Sequence, residues 1–508
     1  MTRLINADGR DVTAETIASL RKVMAGGDLA KAETVTLASG LVAYDLEAPA
    51  KNLYPVLTPL RNRIPRSTRG AGAGIGPNWR AVTAIRGGGV ISMPWIPEGQ
   101  RAARMSIDTE TKSATYRTIG LETDVTFEAQ SAGEGFEDVL ATAGMRLLQQ
   151  TMILEELAIL GGNRSVSLGK PVTPTTAVVT DAASTLENDT YLVSVVPLTL
   201  EGYLAASLSG IVQQASITGM DGKAYTLNGG SGIVSDAKSQ AMGGTGKALT
   251  AYTTPIKGAV AYAWYVGKSG AQKLEQITTI NSVYVSSLLG TGQALSDLTT
   301  ATDYSKNESV AFDGLLYTAF NSALAYYTAQ ATGTAGTGTP LTSSGHGSIT
   351  EIDTMFESFW NNYKISPDEL YVSSQELKNI TNKVLYNSSS APLMRFNLDA
   401  NQTDPTFVAG QVVGYYFNQF SMSGGQIVPI RLHPNLPKGT LFAWTQNLPA
   451  YYQSANVPQV AEVQCRRDYY QIPWPLHTRA NETGVYAEEV LKVYAPFAIG
   501  VITNIGNG

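Results

Sequence analysis

Residues 133–162 read GEGFEDVLATAGMRLLQQTMILEELAILGG, the longest uninterrupted helical pattern in the chain. Phe136, Leu140, Ala143, Leu147, Leu154 and Ala158 recur at helical steps and share one face. Val139, Met145, Leu148, Met152 and Ile159 form a second apolar row, so a helix over 134–160 is expected to be covered on more than one side. Glu134, Glu137 and Asp138 stand where the helix dipole favours negative charge, and Gly161 and Gly162 supply a stop. At about 1.5 Å per residue the rod is roughly 37 Å long. By itself this is the core helix of an ordinary domain. Its neighbours make it a spine.

Working outward, the totals set the frame. A chain of 508 residues is too long for one core and suggests about three domains. Hydrophobic residues make up 43% and charged residues 15%, so the chain is globular and much of its surface is neutral and polar, which suits broad contact with other proteins. A net charge of -6 excludes a generally basic coat for nucleic acid. Locally the balance reverses. No acid occurs between Glu47 and Glu98, whereas Lys51, Arg61, Arg63, Arg66, Arg69, Arg80 and Arg86 all lie there. The single cysteine, Cys465, forms no intrachain disulfide. No stretch reaches the length of an apolar membrane span, and the first residues lack a signal-peptide core, so a cytoplasmic product with no membrane partner is expected.

Residues 1–78 read as an arm. One short helix is expected over 13–24. Pro49, Pro55, Pro59, Pro65 and Pro77, with the Gly-Ala run 70–76, then favour an extended path over other surfaces. The arm arginines are candidates for protein contact rather than phosphate contact, because arginine commonly anchors interfaces. Residues 79–129 turn to strands. Ile119, Leu121, Val125 and Phe127 alternate with polar residues, and 90–93 offers an earlier strand. The polar segment between them, PWIPEGQRAARMSIDTETKSA, then makes a long two-stranded excursion with a mobile tip. An isolated hairpin is marginal in water, so the excursion needs a partner chain.

After the spine, 170–184 reads as a linker. Strands expected at 190–196, 224–227, 259–266 and 282–286, with turns at Asp221-Gly222 and Ser269-Gly270, suggest an immunoglobulin-like sandwich running to about residue 306. From 311 an amphipathic helix carries Leu315, Leu316, Phe320 and Tyr327, and Ser348 with Glu351 reads as a capping box for a second helix. A strand at 370–372, a helix at 375–385, and strands at 412–417, 427–432, 441–444 and 486–502 complete an α+β pattern.

The sequence carries no catalytic constellation. The Gly-Thr loop GTAGTGTPLTSSGHG has no following Gly-Lys-Ser/Thr, and neither it nor 70–76 gives a dinucleotide fingerprint. His346, His433 and His477 are far apart, which argues for ordinary surface or interface histidines rather than a metal site. Cys465 beside Arg466 and Arg467 fits a structural strand cysteine better than a nucleophile. The pairs Glu155-Glu156 and Glu488-Glu489 are adjacent, and nothing selects a general acid from a general base. No catalytic residue, cofactor or metal is assigned.

The order of elements, with the segments LYPVLTPLRNRIPR, ISMPWIPEGQ, ELKNITNKVL, RRDYYQIPWPLHTR and GVYAEEVLKVYAPFAIGVITNI, resembles the major capsid proteins of tailed bacteriophages, the Hong Kong 97 fold. The resemblance implies an N-terminal arm (1–78), an extended loop (79–129), a peripheral domain with the spine helix (130–168), an inserted immunoglobulin-like sandwich (169–310), an axial domain (311–465) and C-terminal peripheral strands (466–508). It also implies hexamers and pentamers in an icosahedral virion shell around double-stranded DNA, assembled in the host bacterial cytoplasm. A separate scaffolding protein, a portal and a decoration protein would be further partners. Arg61, Arg63, Arg66, Trp95, Glu98, Arg101, Arg104, Lys112, Arg466 and Arg467 are the candidate inter-subunit contacts. Some family members join subunits by a lysine to asparagine bond, for which Lys112 is the nearby candidate. Two alternatives stand beside this. One is an encapsulin-like shell around protein cargo. The other is an adhesin or glycan-binding protein built on the sandwich, against which the missing signal peptide and disulfides count.

Overall fold

The computed structural model describes residues 57–69, 74–87, 95–101, 104–134, 138–344, 347–385, 414–422, 424–449 and 459–507, together with the paired backbone of 35–36 and 42–43. The expected helix at 13–24, the strand at 90–93, His346, and Phe136 and Glu137 lie outside the described residues. The chain separates into two units, 1–55 with 125–142 and 56–124 with 143–508. In the smaller unit, Phe127–Gly133 forms a short helix whose Thr126 hydroxyl accepts from the Ala129 N–H. The long helix therefore does not begin at Glu134. It runs Val139–Gly161, and the Asp138 carboxylate starts it by accepting the Ala141 N–H.

The larger unit is built on two sheets that share one core. Six strands lie in the spatial order Tyr326–Ala329, Ile499–Thr503, Leu441–Trp444, Glu369–Val372, Gln426–Leu432 and Tyr415–Asn418. The first two pair in parallel, as do Glu369–Val372 and Gln426–Leu432, and the other pairs are antiparallel. The helix Thr350–Tyr363 lies on this sheet through Ile352, Met355, Phe356 and Phe359, all buried. Gly500 permits the close approach, since a Cβ there would stand 2.7 Å from the Phe359 ring and 2.8 Å from the Met355 sulfur. The capping box does not form. Ile349 occupies the cap position, and Glu351 instead accepts the Thr342 N–H. The expected helix through Tyr327 stops at Asn321, and Tyr326–Ala329 becomes an edge strand.

The second sheet has the order Arg66–Thr68, Ala461–Pro473, Ala480–Val493 and Arg117–Thr126. One strand comes from the arm, one from the segment after the excursion, and two from the C-terminal hairpin. The arm strand runs parallel to its neighbour, with Arg66 opposite Val463 and Thr68 opposite Cys465. The final strand, Ile499–Thr503, was expected among these strands and instead enters the six-stranded sheet, because the turn Pro496–Ala498 redirects the chain. Leu60 and Ile64 of the arm, Ile159 and Leu160 of the spine, and Val463, Cys465 and Val490 join one apolar cluster with the helices and six-stranded sheet.

The excursion is also drawn differently from its sequence pattern. Its two strands are Asn78–Gly87 and Met105–Ser113, antiparallel with Asn78 opposite Ser113, whereas Arg117–Thr126 belongs to the four-stranded sheet. MSIDTETKS lacks apolar alternation and so reads as a connecting loop. Its residues 109–113 are all exposed, and a strand segment with no buried face has no reason to alternate.

Residues 169–310 contain a separate hairpin, Gln214–Thr218 with Ala224–Asn228, which takes the expected strand at 224–227, and two packed sheets of seven strands: Thr175–Thr180, Thr190–Leu198, Lys238–Ala241, Lys247–Tyr252, Ala261–Gly267, Lys273–Thr278 and Ser282–Val285. Tyr191, Val193, Val195, Leu249, Ala251, Tyr262, Trp264, Val266, Val283 and Val285 fill the space between them. Thr175–Thr180 lies inside the expected linker. The strand order is seventh, fourth, first in one sheet and third, second, fifth, sixth in the other. An immunoglobulin domain instead pairs first, second, fifth and fourth against third, sixth and seventh. Strand periodicity fixes which side chains face inward and leaves the pairing order open, so this is a sandwich with its own order. Ala261–Gly267 is buried on both faces, because a second cluster of Val196, Leu198, Tyr265 and Leu274 covers the outer side. Asn281 and Asn504 exchange hydrogen bonds of 2.7 and 3.0 Å, and the Tyr317 hydroxyl links Leu200 N–H to the Gly258 carbonyl, tying the sandwich to the six-stranded sheet and its helices.

Candidate functional site

The spine helix buries Leu147, Thr151, Glu155, Glu156, Ile159 and Leu160, while Met145 of the expected second row is exposed. Two acids thus occupy the covered face. They receive the arm. Glu156 accepts the backbone N–H groups of Leu60 (3.0 Å) and Arg61 (2.7 Å), and its Oε1 lies 2.7 Å from His433 Nε2. The Asn435 N–H donates to His433 Nδ1 at 3.2 Å, so Nε2 carries the hydrogen and donates to Glu156. His433 is 3% exposed, and the expectation of a surface or interface histidine is corrected. The lone pairs of Glu156 supply acceptors to a loop that would otherwise bury unpaired donors.

Glu155, one residue on, faces the arm side chains. Arg61 Nε donates to it at 2.6 Å, and Arg66 and the Tyr469 hydroxyl also donate to it. Arg66 Nη2 reaches Asp468 at 2.6 Å, Glu489 at 3.0 Å and the Cys465 sulfur at 3.3 Å. Both guanidinium groups lie over the Tyr469 ring, at 5.2 and 5.1 Å. Burial works against the Arg66 charge, yet Glu155, Glu489 and Asp468 hold its pKa above the ordinary value. Burial pushes the Cys465 thiol up to about 12, which keeps it a neutral strand cysteine as expected. Arg63 departs to another acid: its Nη2 meets Glu369 at 2.5 Å, where Arg431 (2.8 Å) and the Tyr371 hydroxyl (2.8 Å) converge.

The adjacent pair Glu488-Glu489 divides as a strand requires, with neighbours on opposite faces. Glu489 is fully buried towards Arg66, and Glu488 meets Arg466 at 2.5 Å on the other face. Register shifts after Cys465 and Arg467 re-aim the side chains between them. Arg467 lies over the Tyr470 ring at 5.6 Å.

The remaining candidates lie on the excursion. Its base is anchored where Trp79 meets the Tyr494 ring edge-on at 6.0 Å, with Lys492 at 5.6 Å over the indole. Beyond that, Trp95 is 87% and Ile96 52% exposed, and Glu98, Arg101 and Arg104 are exposed as well. Lys112 pairs with Glu110 at 2.7 Å on the same strand face. Of the ten candidates, then, Arg61, Arg63, Arg66, Lys112 and Arg466 have carboxylate partners within this chain, Arg467 has an aromatic one, and Trp95, Glu98, Arg101 and Arg104 are exposed. The acids that hold the arm were missed. Their signal was Glu155 and Glu156 inside the apolar run LEELAIL and Glu489, the second of two glutamates, inside VYAEEVLKVY. Among the described residues no group of three metal-ligating side chains occurs.

No family model and no curated protein matches the sequence. The solved structures do give matches. The chain is similar to the cyanophage A-1(L) capsid over 93% of its length and 99% of that chain, at 9% identity and a TM-score of 0.41. It is similar to the capsid of a native GTA particle over 94% and 100%, at 7% identity and a TM-score of 0.40. The holo-SrpI encapsulin complex from Synechococcus elongatus PCC 7942 matches over 90% and 93%, at 9% identity and a TM-score of 0.36.

Proposed function

We propose that the chain is the major capsid protein of a tailed double-stranded DNA bacteriophage, a subunit of hexamers and pentamers in an icosahedral shell. The observation that carries this is the excursion. It is a ribbon of two strands about 30 Å long, paired only with itself among the described residues and ending in the exposed Trp95 and Ile96. Such a ribbon gains a third surface only from another molecule, and a second copy of this chain supplies one at every position of a closed shell. Trp95, Glu98, Arg101 and Arg104 are the contacts it would make there, and scaffolding, portal and decoration proteins are the partners such a shell would use. Arg61, Arg63 and Arg66 are engaged by carboxylates of their own chain rather than presented to a neighbour or to phosphate. Electron microscopy of the purified chain, alone and with candidate scaffolding proteins, tests it. Closed polyhedral particles or separate hexamers and pentamers are expected. A discrete monomer under every condition would overturn it, and particles that carry protein cargo and never DNA would favour the encapsulin alternative.

A further inference from the structure

The arm socket holds more acid than base. Glu155, Glu489 and Asp468 face Arg61 and Arg66, three carboxylates against two guanidinium groups. Asp468 is half exposed and Glu156 is satisfied by two backbone donors and His433, so the imbalance falls on Glu155 and Glu489, whose side chains are 2% and 0% exposed. One oxygen of Glu489, Oε1, is buried with no hydrogen-bond partner, and so is Arg66 Nε. An ionised carboxylate with a buried, unsatisfied oxygen is a costly state. With a proton on that oxygen the group becomes a donor beside Glu155.

We propose that Glu489 is held as the neutral acid while the arm is docked, so that docking of residues 57–69 takes up a proton and the socket acts as a proton-dependent latch. Every neighbour of Glu489 bears on this. From the arm, Arg66 favours the charged form directly, and Arg61 sits one carboxylate away. From the spine helix, Glu155 opposes it. From the strand Ala461–Pro473, Cys465 stays neutral, Asp468 shares Arg66, and Tyr469 donates to Glu155 rather than to Glu489. Glu488 points the other way, to Arg466 and Tyr470. Burial first and the Glu155 charge second push Glu489 up to about 8, against the pull of Arg66.

The direction follows from linkage. With the arm lifted, Glu489 is solvated and titrates near the ordinary carboxylate value, well below its docked value. The contribution to docking is complete below the ordinary value, shrinks about tenfold in the docking constant per pH unit above it, and is gone once pH passes about 8. Asp468, held below its ordinary value, works oppositely only at strongly acid pH. The inference concerns one chain and does not depend on shell formation.

Hydrogen exchange of the full chain, followed on peptides covering 57–69 and corrected for the chemical exchange rate, tests the latch. Between about pH 5.5 and about pH 8, opening of the wild-type arm should rise by about two orders of magnitude, while Glu489→Gln should stay flat. A flat wild type, or an equal rise in both proteins, would overturn the proposal. Should Glu489→Gln fail to fold, infrared difference spectra of the wild type decide. A protonated carboxylic acid band at neutral pH that disappears in base, together with arm opening, is expected, and its absence would overturn the proposal.

Discussion

The arm and the excursion look alike as sequence and differ completely as structure. Both are punctuated by proline and glycine and carry several arginines, although the excursion also carries Glu98, Asp108 and Glu110. The described part of the arm is fastened into its own subunit by Leu60 and Ile64 in the core and by Arg61 and Arg66 on buried acids. The excursion is fastened at Trp79 and at Ala114, which packs against the core, and beyond that its strands pair only with each other among the described residues. Basic, irregular segments are therefore not one class. What separates these two is whether the chain itself supplies carboxylates at the right depth.

The largest way to break the comparison is to unfasten the arm. Arg66→Ala leaves Glu155 with Arg61 alone and Glu489 with no cation, and removing one partner of a buried pair typically costs about 3–5 kcal/mol. Denaturant unfolding should show that loss, and above about pH 8, where Glu489 is ionised, Glu489→Gln added to it should restore part of the stability, because it removes the uncompensated charge. A smaller loss is expected from Leu60→Ala. Leu60 is fully buried, and a buried leucine truncated to alanine costs about 2–5 kcal/mol depending on how far the site collapses. Arg466→Ala should leave the melting temperature unchanged, because its pair with Glu488 stands at the surface with a 43% exposed side chain. The contrast between Arg66 and Arg466, which contact neighbouring glutamates of one strand, isolates depth from charge.

How much of this was legible in the sequence can be argued from those residues. The spine helix, the strands at 190–198, 369–372, 426–432 and 441–444, and the break at Pro496 were readable because each has one buried face or a conformational stop. The strand Met105–Ser113 was not, since its described residues 109–113 are all exposed and so leave no period to read. The arm socket escaped for another reason. Glu155 and Glu156 are adjacent, so spacing gives no hint that one meets side chains and the other backbone, and their partners lie some 95 or 300 residues away. Long-range ion pairs leave no local pattern. The sandwich shows both sides of this, with its inward faces visible in the sequence and its strand order invisible.

Trp95 gives the finest test of the comparison. A tryptophan 87% exposed contributes almost nothing to the stability of its own chain, so Trp95→Ala should unfold at the same denaturant concentration as the wild type. Large exposed aromatics nevertheless concentrate binding energy once a partner covers them, commonly at 2 kcal/mol or more for about a handful of such positions in an interface. The same substitution should therefore raise the concentration at which particles or capsomers form, measured by light scattering or sedimentation, by roughly tenfold or more for each 1.4 kcal/mol lost. Arg66→Ala should show the reverse order of effects, with stability lost first and assembly lost only as its consequence. If Trp95→Ala destabilised the single chain instead, the excursion would be packed on its own subunit, and the distinction between a fastened arm and a presented ribbon would fail.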